Sequence, residues 1–171
     1  KGEKNAWEEE LTSWTHEKDP YSIDMIKDSK VMHPREMLRA IENALPKNSI
    51  VSTDIGNICS VSNSYLRFDE PRSMLAAMSF GNCGYAFPVA VGAKIASPNR
   101  PVFAYVGDGA WGISLNELLT CAREKIGVTV ILFNNGQWGA EKKNHVDFYS
   151  RRYQGVCLLY TSDAADEEDS V

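Results

Sequence analysis

This sequence has no surplus of positive charge, no long apolar run and no cysteine spacing of the kind that binds metal. Its 18 Lys and Arg are outnumbered by 23 Asp and Glu, so there is no basic footprint for nucleic acid. No stretch of about 18 apolar residues occurs, which excludes a membrane-spanning helix. The charged opening KGEKNAWEEE lacks the apolar stretch of a secretory signal, and the chain therefore reads as cytoplasmic. Cys59, Cys83, Cys121 and Cys157 are scattered without a CxxC pair, which speaks against a zinc site or a disulfide framework. G-x-G-x-x-G, Walker A, H-E-x-x-H and G-x-S-x-G are missing as well, so dinucleotide binding, P-loop chemistry, zinc hydrolysis and a serine nucleophile elbow lose their usual signals.

What is present is unevenly distributed along the 171 residues. Five of the acids fall in Val156–Val171, where there is no base, and the remaining 18 balance the 18 Lys and Arg of residues 1–155. The run CLLYTSDAADE within that tail resembles the in-frame translation of a transposase mosaic-end sequencing adapter. Residues 156–171 are therefore expected to be a non-native tail. At the other end, Trp7, Leu11 and Trp14 form one thin helical stripe before Lys18-Asp19-Pro20, which suggests a helix and linker over residues 1–32. The chain does not start with Met and is read as a piece of a longer polypeptide.

Residues 33–155 carry the pattern of a domain. Pro34 suits the first turn of a helix whose Met37, Leu38, Ile41 and Leu45 share a face before Pro46 stops it. Ile50-Val51-Ser52-Thr53 is a short strand that ends in Asp54-Ile55-Gly56-Asn57. A helix is expected from about Phe87 to Ala96, then a continuous apolar strand, Val102–Val106, that ends in Gly107-Asp108-Gly109. Ser114 and Glu117 read as a capping box opening the next helix, with Leu115, Leu118, Leu119 and Ala122 facing inward. Val128–Phe133 is another strand and ends in Asn134-Asn135-Gly136. Strands alternating with helices predict an α/β fold with a parallel sheet flanked by helices, its ligand beyond the carboxyl ends of the strands.

Asp108 and Asn135 are separated by one crossover, which sets their turns side by side on that edge. A carboxylate, an amide oxygen and a nearby carbonyl form an all-oxygen set suited to Mg²⁺. Gly109 and Ala110 would offer free backbone N–H groups to a diphosphate. Either turn alone is ordinary strand-end chemistry; it is the pair, in this order and strand context, that points to a site.

The pair resembles the GDG…NN signature of the thiamine diphosphate enzymes, in the domain that holds the cofactor's diphosphate. The likeness runs from about Val51 to Tyr153 through VSTDIGN, SFGNCGYAFP, GDGAWG, QWGAEKKN and VDFYSRR. It implies thiamine diphosphate and Mg²⁺ as cofactors, with Asp108, Asn135 and the Gln137 carbonyl as metal ligands. Gly56, Asn57, Gly109, Ala110, Gly139 and Ala140 match positions that line the diphosphate. Gly81, followed by Asn82, matches the carbonyl that receives the aminopyrimidine. Cys83 stands where relatives place a bulky Leu, Ile or Met that bends the cofactor, and Ile58 where some carry a polar residue. Trp138 is expected to pack over the cofactor turn.

Within that family the QWGAEKKN block resembles an acyltransferase branch acting on sulfoacetaldehyde and phosphate; the alternative is a carboligase or decarboxylase of 2-oxo acids. Lys142 and Lys143, followed by Arg151 and Arg152, are candidates to meet the anionic substrates, or else a solvated basic face. His145 is a candidate proton shuttle or a plain surface residue. The resemblance also implies an activating glutamate from another domain of a partner subunit. A homodimer or homotetramer is expected, with the isolated piece inactive.

Overall fold

A computed structural model describes residues 34–158. The expected stripe of Trp7, Leu11 and Trp14 and residues 159–171 lie outside the described residues. The described chain comprises two units. The first contains helix α1 (Pro34–Ala44) and residues Ser64–Arg67. As the spacing predicts, Leu38 is fully buried, and the half-buried Met37, Ile41 and Leu45 share its face. The Leu45 N–H closes the last turn on the Ile41 carbonyl at 2.9 Å.

The second unit holds a parallel sheet of β1 (Ile50–Thr53), β2 (Met74–Ala76), β3 (Val102–Gly107) and β4 (Thr129–Phe133), in the order β2-β1-β3-β4. Helix α2 (Asn57–Tyr65) follows β1, and α3 (Ala86–Ala96) connects β2 to β3. Two helices, α4 (Asp108–Ser114) and α5 (Glu117–Glu124), connect β3 to β4, and α6 (Gly139–Phe148) follows β4. From β1 the chain moves to β2 on one side; from β3 it moves to β4 on the other. The strand order therefore reverses between β1 and β3, and in open parallel sheets the crevice at such a reversal is where ligands bind. The α/β reading of the sequence stands.

The core lies between the sheet and α3. Ile50, Val102, Ala104 and Val106 meet Ala86, Phe87, Ala90 and Val91, and Ala110 closes the cluster from α4. Alanines at 86 and 90 let α3 approach the sheet closely. Pro88 is tolerated in its first turn, where N–H groups have no helical partner. Phe87 packs edge-on to Trp111, with ring centroids 5.2 Å apart.

Two expectations need correction. Ser114 does not cap a helix: it ends α4, and its hydroxyl donates to the Ala110 carbonyl at 3.2 Å. Asn116 precedes α5 in right-handed helical geometry with no side-chain cap. Leu115, Leu118, Leu119 and Ala122 do not face inward; all four are exposed. The chain breaks between α4 and α5, which rotates α5 so that Cys121 packs on the core instead, joined by Ile126 from just beyond the helix. Lys125, at φ +56°, makes that turn, and the Ile126 N–H bonds the Cys121 carbonyl at 2.9 Å. Helices α2 and α6 and strand β2 were not expected.

Candidate functional site

At the exit of β1, the Asp54 N–H bonds the Tyr105 carbonyl of β3 at 2.9 Å, and the chain then turns through Gly56 into α2. Gly56 has φ +103°, a conformation that disfavours any side chain. The Asp54 carboxylate is fully buried. Its Oδ1 accepts from the Ile55 N–H at 3.1 Å and the Gly84 N–H at 3.0 Å, and its Oδ2 from the Ala86 N–H at 2.9 Å. Burial pushes its pKa above the ordinary carboxylate value, and these backbone donors oppose the rise.

At the exit of β3, Gly107 is extended and Asp108 is the first residue of α4. The Asp108 Oδ1 accepts from the Gly109 N–H at 3.0 Å, so that amide is not free as expected. Its Oδ2 spans to the β4 exit and accepts from Asn135 N–H at 3.1 Å and Gly136 N–H at 2.6 Å. There the chain makes two successive side-chain-capped turns: Asn134 Oδ1 accepts from Gly136 N–H at 3.1 Å and Asn135 Oδ1 from Gln137 N–H at 3.2 Å. Gly136 sits at φ +65°, a region in which glycine pays no steric penalty.

Two glycines show how tightly these turns close on each other. A methyl group at Gly109 would come within 2.7 Å of the Trp138 ring, so glycine at 109 is what lets that ring lie over the start of α4. A methyl group at Gly139 would sit 3.1 Å from the Asn135 amide nitrogen and 3.2 Å from that of Asn57. The exits of β1, β3 and β4 thus converge, with Asn57, Asp108, Gly109, Asn135, Trp138 and Gly139 in one place. The chain returns to seal the far side: the Trp138 N–H bonds the Val156 carbonyl at 2.9 Å and the Leu158 N–H the Gly136 carbonyl at 3.1 Å. Val156 and Leu158 are buried.

Gly81, Asn82 and Cys83 reach this edge from the loop before α3. Gly81, at φ +76°, lies against Ile55 of the β1 exit, and a methyl group at Gly84, at φ +78°, would collide with Ile113 of α4 at 2.7 Å. Cys83 is half-buried against the core, and burial, followed by the charges of Asp54 and Glu141, pushes its thiol pKa up. The thiol therefore stays protonated and acts as a small apolar filler. Asp54 is the functional candidate that sequence reading passed over. The signal was available, because it follows a buried strand and precedes a glycine turn, as Asp108 does.

The two lysines part company. Lys142 Nζ donates to Gln137 Oε1 at 2.7 Å and lies 5.6 Å from the Tyr153 ring centroid. Lys143 points away and is paired with Asp147 at 2.6 Å on the exposed face of α6. Arg151 and Arg152 are exposed in the turn that ends α6. His145 packs among Tyr149 and Tyr153, with centroids 5.8 and 6.4 Å away. Ala140 is half-buried in the first turn of α6.

A carboxylate and amide oxygens gathered beside glycine turns form a hard-oxygen site that leaves positions for ligand phosphates, which fits Mg²⁺. Among the described residues no three His, Cys, Asp or Glu cluster to hold a metal, so a soft-metal or all-carboxylate centre does not compete there. Fold and site together define a parallel α/β domain whose polar turns converge at a strand-order reversal, the place where such sheets bind ligands.

Residues 54–166 match the family described as thiamine pyrophosphate enzyme, C-terminal TPP binding domain, and the chain belongs to that family. Sulfoacetaldehyde acetyltransferase of Castellaniella defragrans is 61% identical over 156 residues, covering 88% of this chain and 26% of that protein. The acetolactate synthase large subunit of Cyanidium caldarium is 29% identical over 153 residues, 90% of this chain and 25% of that protein. A solved structure of Rhodococcus jostii thiamine diphosphate-dependent 4-hydroxybenzoylformate decarboxylase shares the fold, with TM-score 0.71 and 24% identity over 79% of this chain and 25% of its own. The chain thus spans about a quarter of the length of the curated relatives it matches.

Proposed function

We propose that this chain is the cofactor-binding part of a cytoplasmic, homodimeric or homotetrameric acetyltransferase that converts sulfoacetaldehyde and phosphate into acetyl phosphate and sulfite. The observation that carries the reading is the gap between 61% identity to a sulfoacetaldehyde acetyltransferase and 29% to an acetolactate synthase over nearly the same residues.

Asp108 and Asn135, with the Gln137 carbonyl, would hold Mg²⁺. Gly56, Asn57, Gly109, Ala110, Gly139 and Ala140 would line the diphosphate. Thiamine diphosphate, when bound, supplies the electron sink that the reacting carbonyl carbon requires. The chain's own share is position and shelter. Trp138 covers Gly109 and keeps water from that side of the site, and Cys83 fills space without offering a charge. Lys142 gives one of its three N–H donors to Gln137 and keeps two for a sulfonate or phosphate oxygen. Lys142→Ala is expected to raise the KM for phosphate or sulfoacetaldehyde about tenfold, the value of one charge-assisted hydrogen bond, while Lys143→Ala leaves both KM values unchanged. Steady-state kinetics that treat the two variants alike would remove Lys142 from the site.

The test of the reaction is sulfite release from sulfoacetaldehyde by the complete gene product that contains this chain. Release should require thiamine diphosphate and Mg²⁺, with acetyl phosphate formed only when phosphate is present. Acetolactate from pyruvate without sulfite release would instead assign the site to a carboligase of 2-oxo acids.

A further inference from the structure

Two of the turns assigned above to the cofactor are made by different parts of the chain, and both rely on glycines in conformations that do not hold themselves. One is Gly56–Asn57 at the β1 exit, with Gly56 at φ +103°; the other is Gly81–Gly84, with its end glycines at φ +76° and +78°. What joins them is a single carboxylate. Asp54 Oδ1 takes one N–H from its own turn, Ile55 at 3.1 Å, and one from the other, Gly84 at 3.0 Å, while Oδ2 takes Ala86 at 2.9 Å where α3 begins. Asp54 is 0% exposed, and a buried carboxylate is retained only where such donors compensate its lost hydration. Its hydrogen bonds go to Ile55, Gly84 and Ala86 and not to the Asp108–Asn135 pair or to a residue assigned above to substrate.

We infer that Asp54 is a positioning residue that sets the spacing between the turn holding the diphosphate and the turn facing the aminopyrimidine. This rests on the cofactor reading above. Asn at 54 keeps the shape but must set its NH₂ against an N–H donor: either against Ala86, which frees the start of α3 just past the second turn, or against Ile55 and Gly84, which then lose their common acceptor; in either case the tie between the two turns is weakened. A ligand that bridges both turns should then suffer, and one that occupies only the diphosphate turn should not.

The experiment is calorimetric titration of the complete gene product and its Asp54→Asn variant with Mg²⁺ and either thiamine diphosphate or inorganic pyrophosphate. For Asp54→Asn the affinity for thiamine diphosphate should fall about tenfold, the loss of one charge-assisted hydrogen bond, with pyrophosphate affinity held within about twofold. Equal losses for both ligands, or no loss for either, would overturn the positioning role. Failure of the unaltered protein to bind thiamine diphosphate more tightly than pyrophosphate would instead overturn the cofactor reading. Should Asp54→Asn not fold, hydrogen exchange on the unaltered protein decides. Pyrophosphate binding at the first turn should slow exchange of the Gly84 and Ala86 amides through the shared carboxylate, and unchanged exchange there would contradict the inference.

Discussion

At the amino-terminal ends of the strands, Arg100 donates to the Asn48 carbonyl at 2.7 Å, the Ser49 carbonyl at 3.2 Å and the Ser73 hydroxyl at 2.8 Å, tying the starts of β1 and β2 to the residue that leads into β3. Lys94 adds bonds to the Pro98 and Arg100 carbonyls, both at 2.8 Å. At the carboxyl-terminal ends the polarity is reversed. There the side chains are carboxylates and amides, the groups they hold are backbone N–H donors, and the chain bends through glycines with positive φ. Cations on fixed carbonyls close one edge. The other edge consists of N–H groups and oxygen ligands grouped around tight turns, which is what an anionic, metal-bound ligand requires. The same four strands thus carry a structural edge and the edge proposed above for binding, and substitutions should sort by edge.

The largest effect should come from the binding edge. Asp108→Ala removes the one carboxylate proposed for the metal and frees the Asn135–Gly136 turn, and is expected to weaken Mg²⁺-dependent thiamine diphosphate binding about 100-fold or more, against the 10–100-fold typical of groups that merely support a ligand. Isothermal titration with normal affinity would remove Asp108 from the metal site. Next is Gly109→Ala, whose new methyl meets the Trp138 ring and should destabilise by about 1–3 kcal/mol. A denaturant-melt double-mutant cycle with Trp138→Ala should recover most of that loss; strict additivity would mean the ring is not what glycine at 109 accommodates.

On the structural edge, Arg100→Ala should cost about 1–2 kcal/mol of unfolding free energy, the net value of a few partly exposed hydrogen bonds. Cofactor affinity should be untouched, and a drop in affinity comparable to that of Asp108→Ala would break the division between edges. The smallest effect concerns Cys83, whose thiol pKa is raised in the folded chain above its ordinary value of 9.0. Because the folded value is the higher one, its contribution to stability is complete below the ordinary value and is lost as pH rises through the raised value. Alkylation at pH 8 should accordingly modify the exposed Cys157 before Cys83; equal rates would place Cys83 in water.

The binding edge was more legible in the sequence than the helices around it. β3 is a continuous apolar run buried along most of its length, β4 is an apolar run that is only half-buried, and β1 is short but closed by a glycine turn, so these strands and the turns that end them announce themselves, and with them Gly56, Asp108 and Asn135. Strand β2 is three half-buried residues, Met74–Ala76, too short to show a period. Helices α2 and α6, NICSVSNSY and GAEKKNHVDF, have no apolar stripe and are placed by the strands they follow. Missing α6 as a helix hid the separation of Lys142 from Lys143, since adjacent residues on a helix point about 100° apart. Asp54 stood in a legible place, after a buried strand and before a glycine turn, but its role did not show: its partners Gly84 and Ala86 lie some 30 residues away in sequence, beyond the reach of local pattern. The leucines of α5 misled because their spacing is helical, while the break after α4 decides which way they turn.

The division between edges is tested most directly by hydrogen exchange across the sheet of the complete gene product, with and without Mg²⁺ and thiamine diphosphate. Slowed exchange is predicted at Gly56–Asn57, Gly109–Ala110 and Gly136–Ala140, with no change at Asn48–Ser49 and Arg100. Protection centred on the Arg100 edge, or spread evenly over both, would contradict the account.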